Sequence, residues 1–259
     1  MMMKLAFESV GSGPPVVILH GLFGSGSNWR SVAQAMASTY RVITIDLRNH
    51  GASPWADSMS YVEMARDVHD VIVREGLRKP AVIGHSMGGK TAMALALLHP
   101  ILVGRLTVVD VAPVSYADRL SPYVEAMRSI DMMAAASHAE VQRRLAQSIP
   151  DAGIVAFLMQ NLVARNDHFD WRLNLMTIGA SLRELGEFPP ELRKRRFDRP
   201  TSLIVGSQSD YVKPADRLMF EAMFPCLEVT VIEGAGHWVH ADRPDEFLAT
   251  VRHALDAAT

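Results

Sequence analysis

Short apolar runs bounded by turn residues alternate along the chain with segments whose apolar positions recur every three or four residues. The runs Val16 to His20, Arg41 to Asp46, Ala81 to His85, Leu106 to Asp110, Ser202 to Val205 and Leu227 to Ile232 read as strands. Stretches such as Val16-Val17-Ile18-Leu19 are continuously apolar rather than alternating, which suits strands covered on both faces. The clearest helix follows Ser60. Ser60 and Glu63 have capping-box spacing, Tyr61, Met64, Ala65, Val68, Val71 and Ile72 form one apolar face, and Gly76 can end it. Helical segments are also expected over Thr91 to Leu98 and Arg243 to Leu255. The alternation predicts an α/β protein with a mostly parallel central sheet flanked by helices.

The rhythm breaks between Ser115 and Phe197. No convincing strand is visible there, whereas Val124 to Met133, His138 to Ser148 and Ile154 to Val163 are helical patches. A helical insertion after the strand ending at Asp110 divides the chain into a core, residues 1–114 and 198–259, and a cap, residues 115–197. Met127, Met132, Met133, Met159 and Met176 fall in the cap. They suit either an adaptable surface for apolar ligands or core between cap helices. The basic run Leu192-Arg193-Lys194-Arg195-Arg196 reads as a solvated connector.

Composition narrows the function classes. The 259 residues carry 26 Lys and Arg against 28 Asp and Glu, a formal net charge of −2, so the basic surplus expected of a nucleic-acid binder is missing. With 49% hydrophobic and 21% charged residues, a globular fold is expected. Cys226 is the one cysteine, so neither an internal disulfide nor a thiolate metal site is expected. No stretch reaches the ~18 apolar residues of a membrane span, and Met1 to Glu8 lacks the apolar run of a signal peptide. A cytoplasmic setting is the expectation.

The candidate chemistry begins at Gly84-His85-Ser86-Met87-Gly88, a serine between two glycines at a strand-to-helix junction. Such a turn forces strained backbone angles on the serine, and side chains two positions to either side would collide. A serine hydroxyl needs a base to remove its proton. Gly234-Ala235-Gly236-His237-Trp238 supplies one after the last strand; His240 is the nearest rival. A carboxylate must orient that histidine, and two qualify, Asp110 at the end of one strand and Asp210 after the next. Asp46 also ends a strand, but it is expected to brace the Arg48-Asn49-His50-Gly51 turn. Charge developing on a tetrahedral intermediate needs backbone donors. Met87 is one, and His20-Gly21-Leu22-Phe23-Gly24 supplies a second from Leu22, with Phe23 the alternative.

The segments HGLFGS (20–25), DLRNHGASP (46–54), GHSMGGKTAMALA (84–96), VDVAPVSY (109–116) and GAGHWVHADRP (234–244) make the chain resemble the α/β-hydrolase superfamily. More narrowly, it resembles the YbfF-like bacterial esterases and related abhydrolase-domain proteins. The resemblance implies an α/β-hydrolase fold and a serine carboxylesterase that hydrolyses small to medium acyl esters through an acyl-enzyme. Many members of the superfamily place the acid at the position of Ser209, one residue before Asp210. YbfF-like enzymes use the aspartate that matches Asp110, which the resemblance therefore favours. No cofactor or metal is implied, and the partner is a small-molecule ester. Thioester, amide or carbon–carbon cleavage by the same residues, or ligand reception without turnover, are the alternative readings. Substrate identity and oligomeric state are beyond these patterns.

Overall fold

The computed structural model describes residues 3–256 apart from 136 and 167. The first two residues of the stretch read for a leader lie outside them. The core opens with β1 (Phe7–Val10), β2 (Pro15–Leu19), α1 (Arg30–Met36) and β3 (Arg41–Ile45). It continues with α2 (Tyr61–Arg74), β4 (Ala81–His85), α3 (Met87–Leu98) and β5 (Arg105–Val109). The next segment carries α4 (Ser121–Arg128), α5 (His138–Ser148), α6 (Ala152–Met159), β6 (Leu162–Ala164), β7 (Phe169–Trp171) and α7 (Leu175–Gly186). The chain then closes with β8 (Thr201–Gly206), α8 (Arg217–Met223), β9 (Leu227–Ile232), α9 (Val239–Asp242) and α10 (Pro244–Asp256).

The main sheet has seven strands in the order β1-β3-β2-β4-β5-β8-β9. All neighbours pair in parallel except β1 with β3, an antiparallel edge that the sequence did not announce. β1 reads Phe-Glu-Ser-Val and is half exposed, so it lacks the apolar run that marks its neighbours. Along β2, Val17 and Leu19 enter one buried cluster while Val16 and Ile18 enter the other, on the opposite face. This two-sided burial explains why the parallel strands are continuously apolar. The expected helix after Ser60 is present: Ser60 accepts from the Glu63 amide, Glu63 reaches back to Ser60 N, and Gly76 adopts φ +61° at the other end.

The segment between β5 and β8 corrects two expectations. It is not free of strands, because β6 and β7 form an antiparallel pair, Leu162 opposite Trp171. The helical patch expected to Val163 stops at Met159, and the one expected to Met133 stops at Arg128. There Ser129 Oγ turns back onto the Ala126 carbonyl, and Asp131 takes the amides of Met133 and Ala134 into a turn. The segment is tied to the core by Asn161 Nδ2 donating to Phe23 O at 2.8 Å, Asn174 N to Asn49 O at 3.0 Å and Tyr61 Oη to Leu185 O at 2.6 Å. Among its methionines, Met127 and Met159 are buried core, while Met133 and Met176 face solvent. No helix among the described residues is long and apolar enough to cross a membrane.

Candidate active site

The carboxyl ends of β4 and β5 lie side by side, and each ends in a strained residue. Ser86 has φ +53° and ψ −118°, and Asp110 has φ +51°, both in a region that side chains rarely enter. The turn at Ser86 is held by its own amide, which donates to Val109 O at 3.0 Å. A Cβ on Gly84 would sit 2.2 Å from Gly88 O, and one on Gly88 would sit 2.4 Å from Leu19 O. Both glycines are therefore required by backbone, which cannot step aside.

His237 follows β9 and reaches Asp110, its Nδ1 donating to Oδ2 across 2.7 Å. Asp110 is fully buried, and its carboxylate also accepts from Gly206 N at 3.1 Å and from Ser209 Oγ. Ser209, at the position where the resemblance puts the acid in many members, thus contributes a donor to the same carboxylate. Asp210, the alternative acid, points elsewhere: it is exposed and pairs with Arg119 at 2.6 Å, which holds its carboxyl below the usual range. Ser86 and His237 line one cavity, with no hydrogen bond between them among the described residues. Such bonds are often long until substrate is bound.

Other residues steady the histidine, and sequence reasoning did not single them out. The ring of Tyr211 stacks on that of His237, centroids 3.8 Å apart at 16°. His85 Nε2 donates to the His237 carbonyl at 2.9 Å. Burial first, then the neighbouring His237 and His240, push His85 well below its ordinary pKa. Nothing in the spacing marks Tyr211, a loop residue that follows a carboxylate already under consideration.

The amides named as donors are placed differently. Met87 opens α3, so its N–H has no partner within the helix. Leu22 N–H has none among the described residues. Phe23 N–H is already committed, donating to His50 Nε2 at 3.2 Å. Phe23 adopts φ +62° and is gripped again at its carbonyl by Asn161. Asn161 is a further residue that only the fold reveals.

Asp46, Arg48 and His50 of the 46–54 segment each have structural partners. Asp46 accepts from Gly26 N and Ala52 N, as expected of a brace. Arg48 makes a two-pronged pair with buried Asp67 at 2.7 and 3.0 Å. His50 donates Nδ1–H to Arg48 O at 2.9 Å, leaving Nε2 to accept from Phe23. His20 has the same arrangement, donating to Gly21 O and accepting from Leu47 N. Burial lowers the pKa of His20 to about 4. For His50, burial with His20 beside it lowers the pKa to about 3. Both rings are neutral at ordinary pH, as an accepting Nε2 requires. His240, the rival base, stacks on Trp29 at 4.2 Å, and burial lowers it to about 4.

Two cavities, of about 280 and about 310 Å³, meet at Ser86. Met127, Met132, Met133, Met159 and Met176 line neither one. One helical turn after Ser86, Lys90 is buried with Nζ donating to the carbonyls of Gly186 and Glu187 and lying 4.7 Å from the Tyr116 ring. Burial pushes its ammonium down to about 7.

This sheet order, with a serine on the turn after β4 and a histidine after β9, is that of a hydrolase core. The chain belongs to the alpha/beta hydrolase fold family, whose pattern matches residues 14–244. It is 38% identical over 250 residues to the mouse (Mus musculus) sn-1-specific diacylglycerol lipase ABHD11, covering 93% of this chain and 81% of that one. It is 33% identical over 246 residues to esterase YbfF of Escherichia coli (strain K12), covering 93% of each. Among solved structures, a marine microorganism esterase superposes with a TM-score of 0.93 at 34% identity, covering 97% of this chain and 99% of that one.

Proposed function

We propose that this ester-hydrolysing enzyme is a serine carboxylesterase that works through an acyl-enzyme on Ser86. His237 takes the Ser86 proton as Oγ bonds to the ester carbonyl carbon. The resulting oxyanion is held by the amides of Met87 and Leu22. Collapse breaks the carbon–oxygen bond of the ester, and the leaving alkoxide takes the proton from His237. Water then repeats the sequence on the acyl-serine with the same base, releasing the acid. Asp110 holds His237 in the tautomer with Nε2 free to accept and stabilises its cation. Residues 115–197 serve as the cap over this site, and we place the enzyme in the cytoplasm.

The observation that carries the reading is the 2.7 Å bond from His237 Nδ1 to buried Asp110, with His237 on the same cavity wall as Ser86. Asp210 is engaged with Arg119, which supports Asp110 as the acid. The engagement of Phe23 N–H with His50 supports Leu22 over Phe23 as the second donor. The test is hydrolysis of p-nitrophenyl esters of increasing acyl length by wild type and Ser86→Ala. The expected loss in kcat is on the order of 10⁶-fold; near wild-type turnover by the mutant overturns the mechanism.

A further inference from the structure

We propose that Lys90 is a positioning residue whose ammonium, carried one helical turn behind Ser86, clamps the end of α7 and so fixes one wall of the cavity at the serine. This rests on the serine mechanism and the cap just described.

The last carbonyls of a helix have no partner within it and carry the negative end of its dipole. At the end of α7 the core captures them. Lys90 Nζ donates to Gly186 O and to Glu187 O, each across 2.9 Å, while Tyr116 N donates to Gly186 O at 2.9 Å and Tyr61 Oη to Leu185 O at 2.6 Å. Nζ also lies 4.7 Å from the centre of the Tyr116 ring and 5.5 Å from that of Tyr61, within reach of cation–π attraction. Lys90 is 1% exposed, so its charge sits out of water among carbonyls and rings. Such burial is unfavourable, and a methionine would fill much the same space without it. What the ammonium adds is a tie between the cap and the helix that starts at the nucleophile.

The turn that starts at Ser86 closes with Lys90 N donating to Ser86 O at 3.0 Å. Leu182, Leu185 and Gly186 of α7 line the cavity of about 280 Å³ together with Ser86, Met87 and Lys90. One turn of helix thus sets the distance from the nucleophile to this wall. A wall touches substrate alike in the ground state and the transition state, so loosening it raises KM and spares kcat.

The clamp is tightest while the amine is charged, because a charged donor makes the stronger hydrogen bond and only a cation is drawn to the rings. Burial pushes Lys90 down to about 7, so it is about nine-tenths charged at pH 6 and about one-tenth charged at pH 8. Facing it are Tyr61 from α2 and Tyr116 from the loop after β5, both raised by burial and neutral at these pH values. Beyond α7, Glu187 favours the charged amine and Arg193 opposes it. Glu184 of α7 acts on Tyr61, and Asp118, Arg119, Asp210, Lys213 and Asp216 line the same cavity.

The test is the pH dependence of KM and kcat on p-nitrophenyl butyrate for wild type and Lys90→Met. Taking the ratio of the two KM values removes the titration of His237, which both proteins share. At pH 6 the ratio should be at least fivefold with kcat within threefold, and it should fall by half or more by pH 8. A ratio near one, or one that does not change with pH, overturns the proposal. Two exposed substitutions decide the matter even if Lys90→Met fails to fold. Glu187→Gln should move the midpoint of the wild-type KM profile to lower pH, and Arg193→Gln should move it to higher pH; midpoints that stay in place or move the other way overturn the clamp. Amide hydrogen exchange reads the clamp without turnover. In a Ser86→Ala background, Lys90→Met should speed exchange over residues 183–192 at least tenfold and leave β5 and α10 unchanged, whereas equal acceleration everywhere would mean general destabilisation and contradict a local clamp. Retained activity in Ser86→Ala would instead refute the serine mechanism and leave the exchange result standing.

Discussion

The amide of Phe23 donates to Nε2 of His50 across 3.2 Å, joining two loops 27 residues apart. A neutral, buried imidazole thereby fixes the loop that carries Leu22. Removing the acceptor orphans a buried N–H and frees the loop. His50→Leu should lower kcat about 10- to 100-fold with KM little changed, because in the proposed mechanism the Leu22 amide acts on the transition state more than on the ground state. His50→Gln, which keeps an acceptor, should recover part of that loss. Steady-state kinetics on one p-nitrophenyl ester checks both, and an effect confined to KM would contradict this role.

The two candidate acids predict opposite outcomes. Asp110→Asn leaves His237 without its carboxylate and favours the wrong tautomer, so kcat should fall by roughly 10⁴. Asp210→Asn breaks an exposed pair with Arg119, in which both side chains are more than half exposed, and should change kcat by no more than about twofold. Parallel rate measurements on the two variants decide the matter.

Stability should fall on acidification before the carboxylates titrate. His20, His50, His85 and His240 all have pKa values depressed by burial, to about 4, about 3, well below normal and about 4. Below the ordinary pKa of ~6.5 the unfolded chain binds protons that the folded chain refuses, so stability drops from pH 6.5 toward pH 4. Between pH 7 and 5 each such histidine costs at most roughly 2 kcal/mol. Urea titrations should show a lower midpoint at pH 5 with an unchanged slope; an equal midpoint at both pH values would contradict neutral buried histidines.

Two glycines should respond differently to alanine. At Gly88 a Cβ meets the backbone oxygens of Leu19 and His20 at 2.4 and 2.5 Å. Gly88→Ala should cost about 3 kcal/mol or more and lower Tm by roughly 10 °C. At Gly76 a Cβ meets nothing within 4 Å, and only φ +61° resists it, so Gly76→Ala should cost about 1 kcal/mol. Calorimetry on the two variants separates collision from backbone strain.

Most of the core was legible because its strands are buried on both faces, which writes runs such as Val16 to Leu19 into the chain. β1 was not, since Glu8 and Ser9 face solvent and only pairing with β3 makes it a strand. β6 and β7 are three residues each and depend on each other, which no local pattern shows. At the site, the serine turn was legible through its steric demand for Gly84 and Gly88. Tyr211, Asn161 and the Phe23–His50 bond join segments distant in sequence, and a single sequence carries no signal for such pairs. The choice between Asp110 and Asp210 stayed open for the same reason: both follow strands, and only the fold shows which one faces a histidine.

The central claim, a nucleophilic Ser86 activated by His237, is tested most directly by covalent labelling. Wild type treated with diethyl p-nitrophenyl phosphate should lose activity in proportion to the uptake of one diethylphosphoryl group, and peptide mass mapping should find that group on Ser86. His237→Ala should label far more slowly at the same serine. Full inactivation with the label on another residue, or stoichiometric labelling of Ser86 with activity retained, would contradict it.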